Sequence, residues 1–184
     1  MAIVIKPPAV ITPQGFQGRA SVALFGSIEQ GVAIDWQTKA IELLKEHDID
    51  IYNPRRSHWD SSWKQASDNP QFTFQVDWEL TTLENVGVKL FYFDPSTKSP
   101  ITLMELGLAA SYGSLDTVVC CPKGFWRKGN VDIVCKRYGI HQEPTLEDAI
   151  FDVVSRLNAY HDVKRQEIKP IVEPTAAVVD ILEE

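Results

Sequence analysis

Glu105 is the one carboxylate in an otherwise apolar run, Ile101-Thr102-Leu103-Met104-Glu105-Leu106-Gly107-Leu108-Ala109-Ala110, which follows a turn rich in Pro, Ser and Thr that ends at Ser99-Pro100. Withdrawing an ionised carboxylate from water costs several kcal/mol unless it is paired or hydrogen-bonded, so its place there needs a cause. Two causes compete. Thr102-x-x-Glu105 has the spacing of a capping box, with Thr102 as N-cap, Glu105 at N3, and Ile101 with Leu106 as the hydrophobic staple. Alternatively, Glu105 is a nucleophile at the mouth of a pocket, its charge favoured by a nearby helix N-terminus.

A second carboxylate falls in Gln75-Val76-Asp77-Trp78-Glu79. Asp77 lies three residues before Leu80, near the face that Val76, Leu80 and Leu83 make apolar, so it is expected close to the core side. Its plainer reading is a solvated helix charge. Paired with Glu105, it would complete the two-carboxyl arrangement that substitutes at an anomeric carbon with retention, one group attacking and another protonating the leaving group.

Apolar runs alternating with helical patterns must position these groups. Short buried strands are expected over Ser21–Phe25, Ile49–Tyr52, Val88–Phe93 and Thr117–Cys121, with a fifth starting near Ile140. Helices are expected over Ala33–Lys45, Phe72–Leu83, the Glu105 segment to Tyr112 (closed by Gly113), Val131–Arg137, and Thr145–Tyr160 with Thr145 as its cap and Asp148 near N3. Continuous apolar strands between helices specify an α/β fold, a doubly wound parallel sheet of the Rossmann or flavodoxin kind, with about five strands and helices on both faces. Residues 1–19 read as an extended arm, 20–160 as the domain, and 161–184 as a tail whose apolar stretch Ala176–Leu182 is a candidate subunit contact.

In such a sheet ligands bind beyond the carboxyl ends of the strands. The four loops expected there carry Phe25-Gly26-Ser27-Ile28-Glu29-Gln30-Gly31, then Asn53-Pro54-Arg55-Arg56 with Trp59 and Trp63, then Asp94 through Ser99, then Phe125-Trp126-Arg127-Lys128-Gly129-Asn130. Glycines permit close backbone approach, and aromatic walls beside polar anchors suit a flat heterocycle with a sugar. Taken singly, Arg55 and Arg56 are ordinary surface charges and the tryptophans ordinary lid packing; their convergence is what points to a site.

Composition bounds the rest. The chain has 184 residues, 44% of them hydrophobic, which suits one domain with a substantial core. A net charge of −7 argues against coating a nucleic-acid polymer. Cys120, Cys121 and Cys135 make no disulfide framework, the first two reading as small core residues, so a reducing, cytoplasmic setting is expected. No apolar stretch is long enough for a membrane span, and Met1–Val10 lacks the pattern of a secretory signal. His47, His58, His141 and His161 show no ligand spacing, so no metal site is expected. Without a GxGxxG or Walker loop, no cofactor is expected either.

The pattern Gly26-Ser27-Ile28, Asp77 with Asn85 eight residues later, Ser99 followed by Met104-Glu105-Leu106-Gly107, and Gly129-Asn130 resembles nucleoside 2-deoxyribosyltransferases and their relatives, the 2′-deoxynucleoside 5′-monophosphate N-glycosidases. The likeness covers roughly Ser21 to Tyr160, mostly in short motifs. It implies a pentosyltransferase that exchanges the base of 2′-deoxynucleosides through a covalent deoxyribosyl-Glu105 intermediate, with retention. It implies Asp77 as the acidic residue that assists the departing base, Asn130 as a residue holding the sugar or the nucleophile, and Phe25 and Gly26 as sugar lining. Ser27, Asn53, Arg55, Arg56, Asp94 and Ser99 complete the expected binding set. The partners implied are deoxynucleosides and free nucleobases, and a homo-oligomer whose sites form at subunit contacts. Three positions depart from the better-known branch. Ser99 stands where those transferases have Asp, as in the monophosphate N-glycosidases, where it contacts phosphate. Asn85 replaces an Asp, and Leu24 or Phe25 a Tyr. The rival expectations are a hydrolase of 5′-monophosphates, binding phosphate through Ser99 with Arg55 or Arg56, and a non-catalytic nucleotide-sensing module.

Overall fold

The computed structural model describes residues 1–28, 33–56, 63–112 and 115–167. Glu29, Gln30, Gly31, Trp59, Gly113 and Ala176–Leu182, all singled out above, lie outside the described residues. Six strands form one all-parallel sheet: β1 (Ile3–Ile5), β2 (Ala20–Gly26), β3 (Ile49–Tyr52), β4 (Val88–Tyr92), β5 (Thr117–Cys120) and β6 (His141–Glu143), in the order β1-β3-β2-β4-β5-β6. The helices are α1 (Trp36–Leu44), α2 (Pro70–Asn85), α3 (Pro100–Tyr112), α4 (Lys128–Tyr138) and α5 (Leu146–Glu167). Beyond the extra edge strand β1, this is the flavodoxin-like order, and the chain reverses direction across the sheet between β2 and β4.

Alternation along the buried strands sorts the core into two layers. Val22, Leu24, Leu90, Tyr92 and Val118 point to one face, where Trp36, Ala40 and Leu44 of α1 and Ala149, Ile150 and Val153 of α5 cover them. Ala23, Phe25, Phe91, Phe93 and Val119 point to the other, under Trp78 and Leu83 of α2, Leu106, Ala109 and Ala110 of α3, and Val131 of α4. Cys120, Cys121 and Cys135 are all buried core residues, and burial pushes their thiols up to about 12, 11 and 12.

Local signals set most helix ends. Asp35 accepts from the amide of Thr38 at the start of α1, and Asn69 accepts from Gln71 and Phe72 ahead of Pro70 in α2. Gly139, at φ 68°, stops α4. Thr145 caps α5 as expected, its hydroxyl accepting from the Asp148 amide and donating to the Asp148 carboxylate.

Three expectations change. The N-terminal arm is part of the sheet, because Ile3–Ile5 pairs in register with Asp50–Tyr52, raising the strand count to six. The first helix starts at Trp36, leaving Ile34 exposed. Thr102 is no N-cap: α3 begins at Pro100, the Leu103 amide already bonds to the Ser99 carbonyl, and Glu105 sits in the second turn. Ile101 is exposed and Leu106 buried, so the staple is absent too.

Gly26 closes β2 where no side chain fits. A Cβ there would lie 2.5 Å from the Tyr92 carbonyl oxygen and 2.7 Å from the Trp36 ring. Gly26→Ala is therefore expected to lower stability by about 1–3 kcal/mol, the usual cost of overpacking, measured as a reduced urea midpoint with an unchanged slope. A midpoint equal to wild type would show that β2 and β4 part there without strain.

Candidate active site

At the carboxyl edge of β2 and β4, three hydroxyls meet. Ser27 Oγ lies 2.5 Å from Ser99 Oγ and 2.8 Å from Thr97 Oγ1, and Thr97 Oγ1 lies 2.7 Å from Ser99 Oγ. The Asp94 amide donates to Ser27 Oγ, and the Thr97 hydroxyl reaches the Asp94 carbonyl. All three side chains are buried. They pin the loop after β4 to the end of β2, and they hold Ser99 at φ 48°, a left-handed conformation that costs a non-glycine residue about 1–3 kcal/mol. Pro100 follows at once as the first residue of α3, so this knot sets the phase of the helix that carries Glu105.

Glu105 is only 7% exposed, and no hydrogen bond to its carboxylate forms among the described residues. Burial raises its pKa well above the usual carboxylate range, and the negative charge of Glu79 adds to the rise. Glu79 is raised as well, to about 7: burial dominates, opposed by a hydrogen bond from Gln75 and by the charge of Arg56. The charge of Glu79 thus disfavours ionisation of Glu105 on the neighbouring helix.

The second carboxyl is thus Glu79, where the sequence pointed to Asp77. The inward face of α2 is Gln75, Trp78, Glu79 and Thr82, the i, i+3, i+4, i+7 set, whereas Asp77 is exposed to solvent. Helical period finds a buried face through its apolar residues. Here three of the four inward positions are polar, so the apolar stripe Val76, Leu80 and Leu83, of which only Leu83 is fully buried, pointed to a face rotated from it. Glu79 was missed for that reason.

The other expected residues divide. Gly26 and Ser27 lie at the edge already described. Asp94 accepts from the amides of Ile34 and Ser96 and from the Ser96 hydroxyl. Burial works to raise its pKa, but these bonds together hold it below the ordinary value, as suits a loop anchor. Asn53 is buried and accepts from the Arg55 amide. Arg55 donates to Gln37 Oε1 at 3.1 Å and lies 3.4 Å from an Asp35 oxygen. Arg56 donates to Gln75 Oε1 at 2.5 Å, with its guanidinium 5.1 Å from the Trp63 ring centre. Phe25 is fully buried against Phe91, a floor under the edge. Asn130 is exposed on α4 and lines a groove of about 290 Å³ with Leu103, Leu106, Gly107, Arg127, Val131 and Val134, a lining that does not include Glu105.

One further cluster could in principle hold a cation. His141, Glu143 and Asp152 bring ligand atoms within 4.8 Å of one another. Arg156 forks onto both Asp152 oxygens, at 3.1 and 3.0 Å, and His141 Nδ1 lies 2.8 Å from one of them. The cluster is a charge-paired tie between β6 and α5. None of the described helices is long and apolar enough to cross a membrane.

Comparison with known proteins agrees with this architecture. A crystal structure of a conserved protein from Enterococcus faecalis V583 superposes with a TM-score of 0.53 at 14% identity, covering 76% of this chain and 99% of that one, a likeness of fold. A search of curated proteins gives no significant match. Residues 19–125, more than half of the chain and inclusive of both carboxyls, match the family described as nucleoside 2-deoxyribosyltransferase like. The chain belongs to the nucleoside 2-deoxyribosyltransferase-like family.

Proposed function

We propose that this protein moves 2-deoxyribose between nucleobases, with Glu105 as nucleophile and Glu79 as proton donor. The observation that carries this is a pair of carboxyls on neighbouring helices, withheld from water beside the strand ends where this sheet class binds ligands. The Glu105 carboxylate attacks C1′ of the deoxynucleoside as the N-glycosidic bond breaks, its electron pair going to the base nitrogen. Glu79 protonates the departing base. An incoming base then attacks C1′ of the glycosyl-enzyme and gives its proton back to Glu79, so two inversions yield retention. The proton-transfer role expected of Asp77 passes to Glu79 because Asp77 faces solvent.

The competing substrate is a 5′-monophosphate, with water as acceptor. Its three expected phosphate ligands are engaged inside the protein: Ser99 with Ser27 and Thr97, Arg55 with Gln37 and the Asp35 carboxylate, Arg56 with Gln75. That favours the free deoxynucleoside. The homo-oligomer belongs to the same proposal. Ile101 and Met104 on α3 are apolar yet 57% and 54% exposed, and a second copy is the occupant proposed for that face.

Incubating a 2′-deoxynucleoside with a second base should give the exchanged nucleoside, with little free deoxyribose. Glu105→Gln should abolish exchange and leave the circular dichroism spectrum unchanged. Near-wild-type exchange by that variant would remove Glu105 as nucleophile. Turnover only of 5′-monophosphates, lost in Arg55→Ala, would establish the hydrolase instead.

The proton on Glu79 gives a second test. The mechanism needs Glu79 with its proton and Glu105 without one, and both carboxyls are raised, so exchange of an ordinary purine deoxynucleoside should follow a bell-shaped pH profile, falling on the acid side as Glu105 is protonated and on the basic side as Glu79 loses its proton. Glu79→Gln should lower its rate by roughly 10²–10⁴-fold, yet barely affect an N7-methylated purine deoxynucleoside, whose base leaves without a proton. Equal losses on both substrates would mean that Glu79 only positions. For the assembly, light scattering should report a dimer or larger species, and Met104→Glu should shift it towards monomer; a monomeric wild type would refute the proposed contact.

A further inference from the structure

Between Arg56 and Glu79 lies a single buried amide. Gln75 Nε2 donates to Glu79 Oε1 at 2.7 Å and to the Pro54 carbonyl at 3.1 Å, and Gln75 Oε1 accepts from Arg56 Nε. These partners leave no freedom in how the amide is turned. A carbonyl and a carboxylate oxygen can take only its NH₂ side, and a guanidinium can face only its oxygen. Pro54 lies at the start of the β3–α2 connection, so the bridge is fixed to backbone at one end and occupies the inward face of α2 one turn before Glu79.

We propose that Gln75 is a positioning residue for Glu79: it holds Oε1 by hydrogen bond and leaves Oε2 as the oxygen that carries the proton towards the substrate. Among the described residues, Oε2 of Glu79 takes no hydrogen bond. The described charged group that acts on Glu79 is Arg56, from the connection after β3, and Glu79 in turn acts on Glu105, from α3. Gln75 stands between Arg56 and Glu79, bonded to both. The inference rests on Glu79 as the proton donor of the proposed function.

The direct test is a ¹³C NMR titration of the Glu79 carboxyl in the full chain, its resonance identified by its absence in Glu79→Gln. Gln75→Met keeps length and loses the donor, so the midpoint should move up by about one unit, the worth of one hydrogen bond to a charged acceptor. Gln75→Glu, which keeps the shape and replaces the donor with another carboxylate, should move it the same way and serves if the Met variant does not fold. An unchanged or lowered midpoint overturns the proposal, since Arg56 or burial alone would then govern Glu79. In exchange assays, Gln75→Met should lower kcat for ordinary purine deoxynucleosides by about 10-fold, with KM little changed, and spare the N7-methylated substrate; equal losses on both would also overturn it. The titration needs no substrate, so a wild-type protein inactive in exchange refutes the deoxynucleoside reading and leaves the NMR midpoint to decide on the bridge.

Discussion

Keeping two carboxyls out of water on adjacent helices is the arrangement on which this protein depends. Each would cost several kcal/mol as a lone buried anion, and the second makes the first worse. The fold relieves this with little direct ion pairing. Arg56 reaches Glu79 through the Gln75 amide, and Glu105 takes no hydrogen bond among the described residues. Burial raises both carboxyls, so protonation offsets part of that cost.

The sheet supplies the rigidity this needs. Strands β2 and β4 are fully buried side by side, and the loops leaving them are knotted by Ser27, Thr97 and Ser99. That knot fixes a left-handed Ser99 directly before Pro100, and the helix can then start in only one phase. From that phase, Glu105 turns inward while Ile101 and Met104 turn outward. A cluster of small hydroxyls thereby sets the direction of a side chain six residues further on.

Much of this was legible in the residue order, and the failures have physical causes. Continuous apolar runs gave the inner strands and the parallel sheet, because burial on both faces leaves no polar alternation to misread. Glu105 stood out because one acid in an apolar run has few explanations. The capping box was misplaced because Thr102-x-x-Glu105 satisfies the spacing equally well inside a helix as at its start; what begins α3 is Ser99, through a tertiary contact with Ser27. Asp77 was chosen over Glu79 because α2 presents Gln75, Glu79 and Thr82 inward, a polar buried face that periodicity cannot recognise. Strand β1 was lost for a similar reason. At three residues beside two prolines it is too short to carry an alternation, and only its pairing with β3 defines it.

That short strand has a consequence for the life of the chain. Ile3 pairs opposite Asp50, and the Asn53 amide bonds to the Ile5 carbonyl, so residues 3–5 must wait for β3 before they have a strand partner. Until then β3 is an open sheet margin able to recruit a strand from a neighbouring copy. Pairing β1 covers that margin and moves the edge of the sheet out to a strand of three residues. The residues that read as an extended arm in the sequence thus give the sheet a short edge, which offers a neighbouring copy little to pair with.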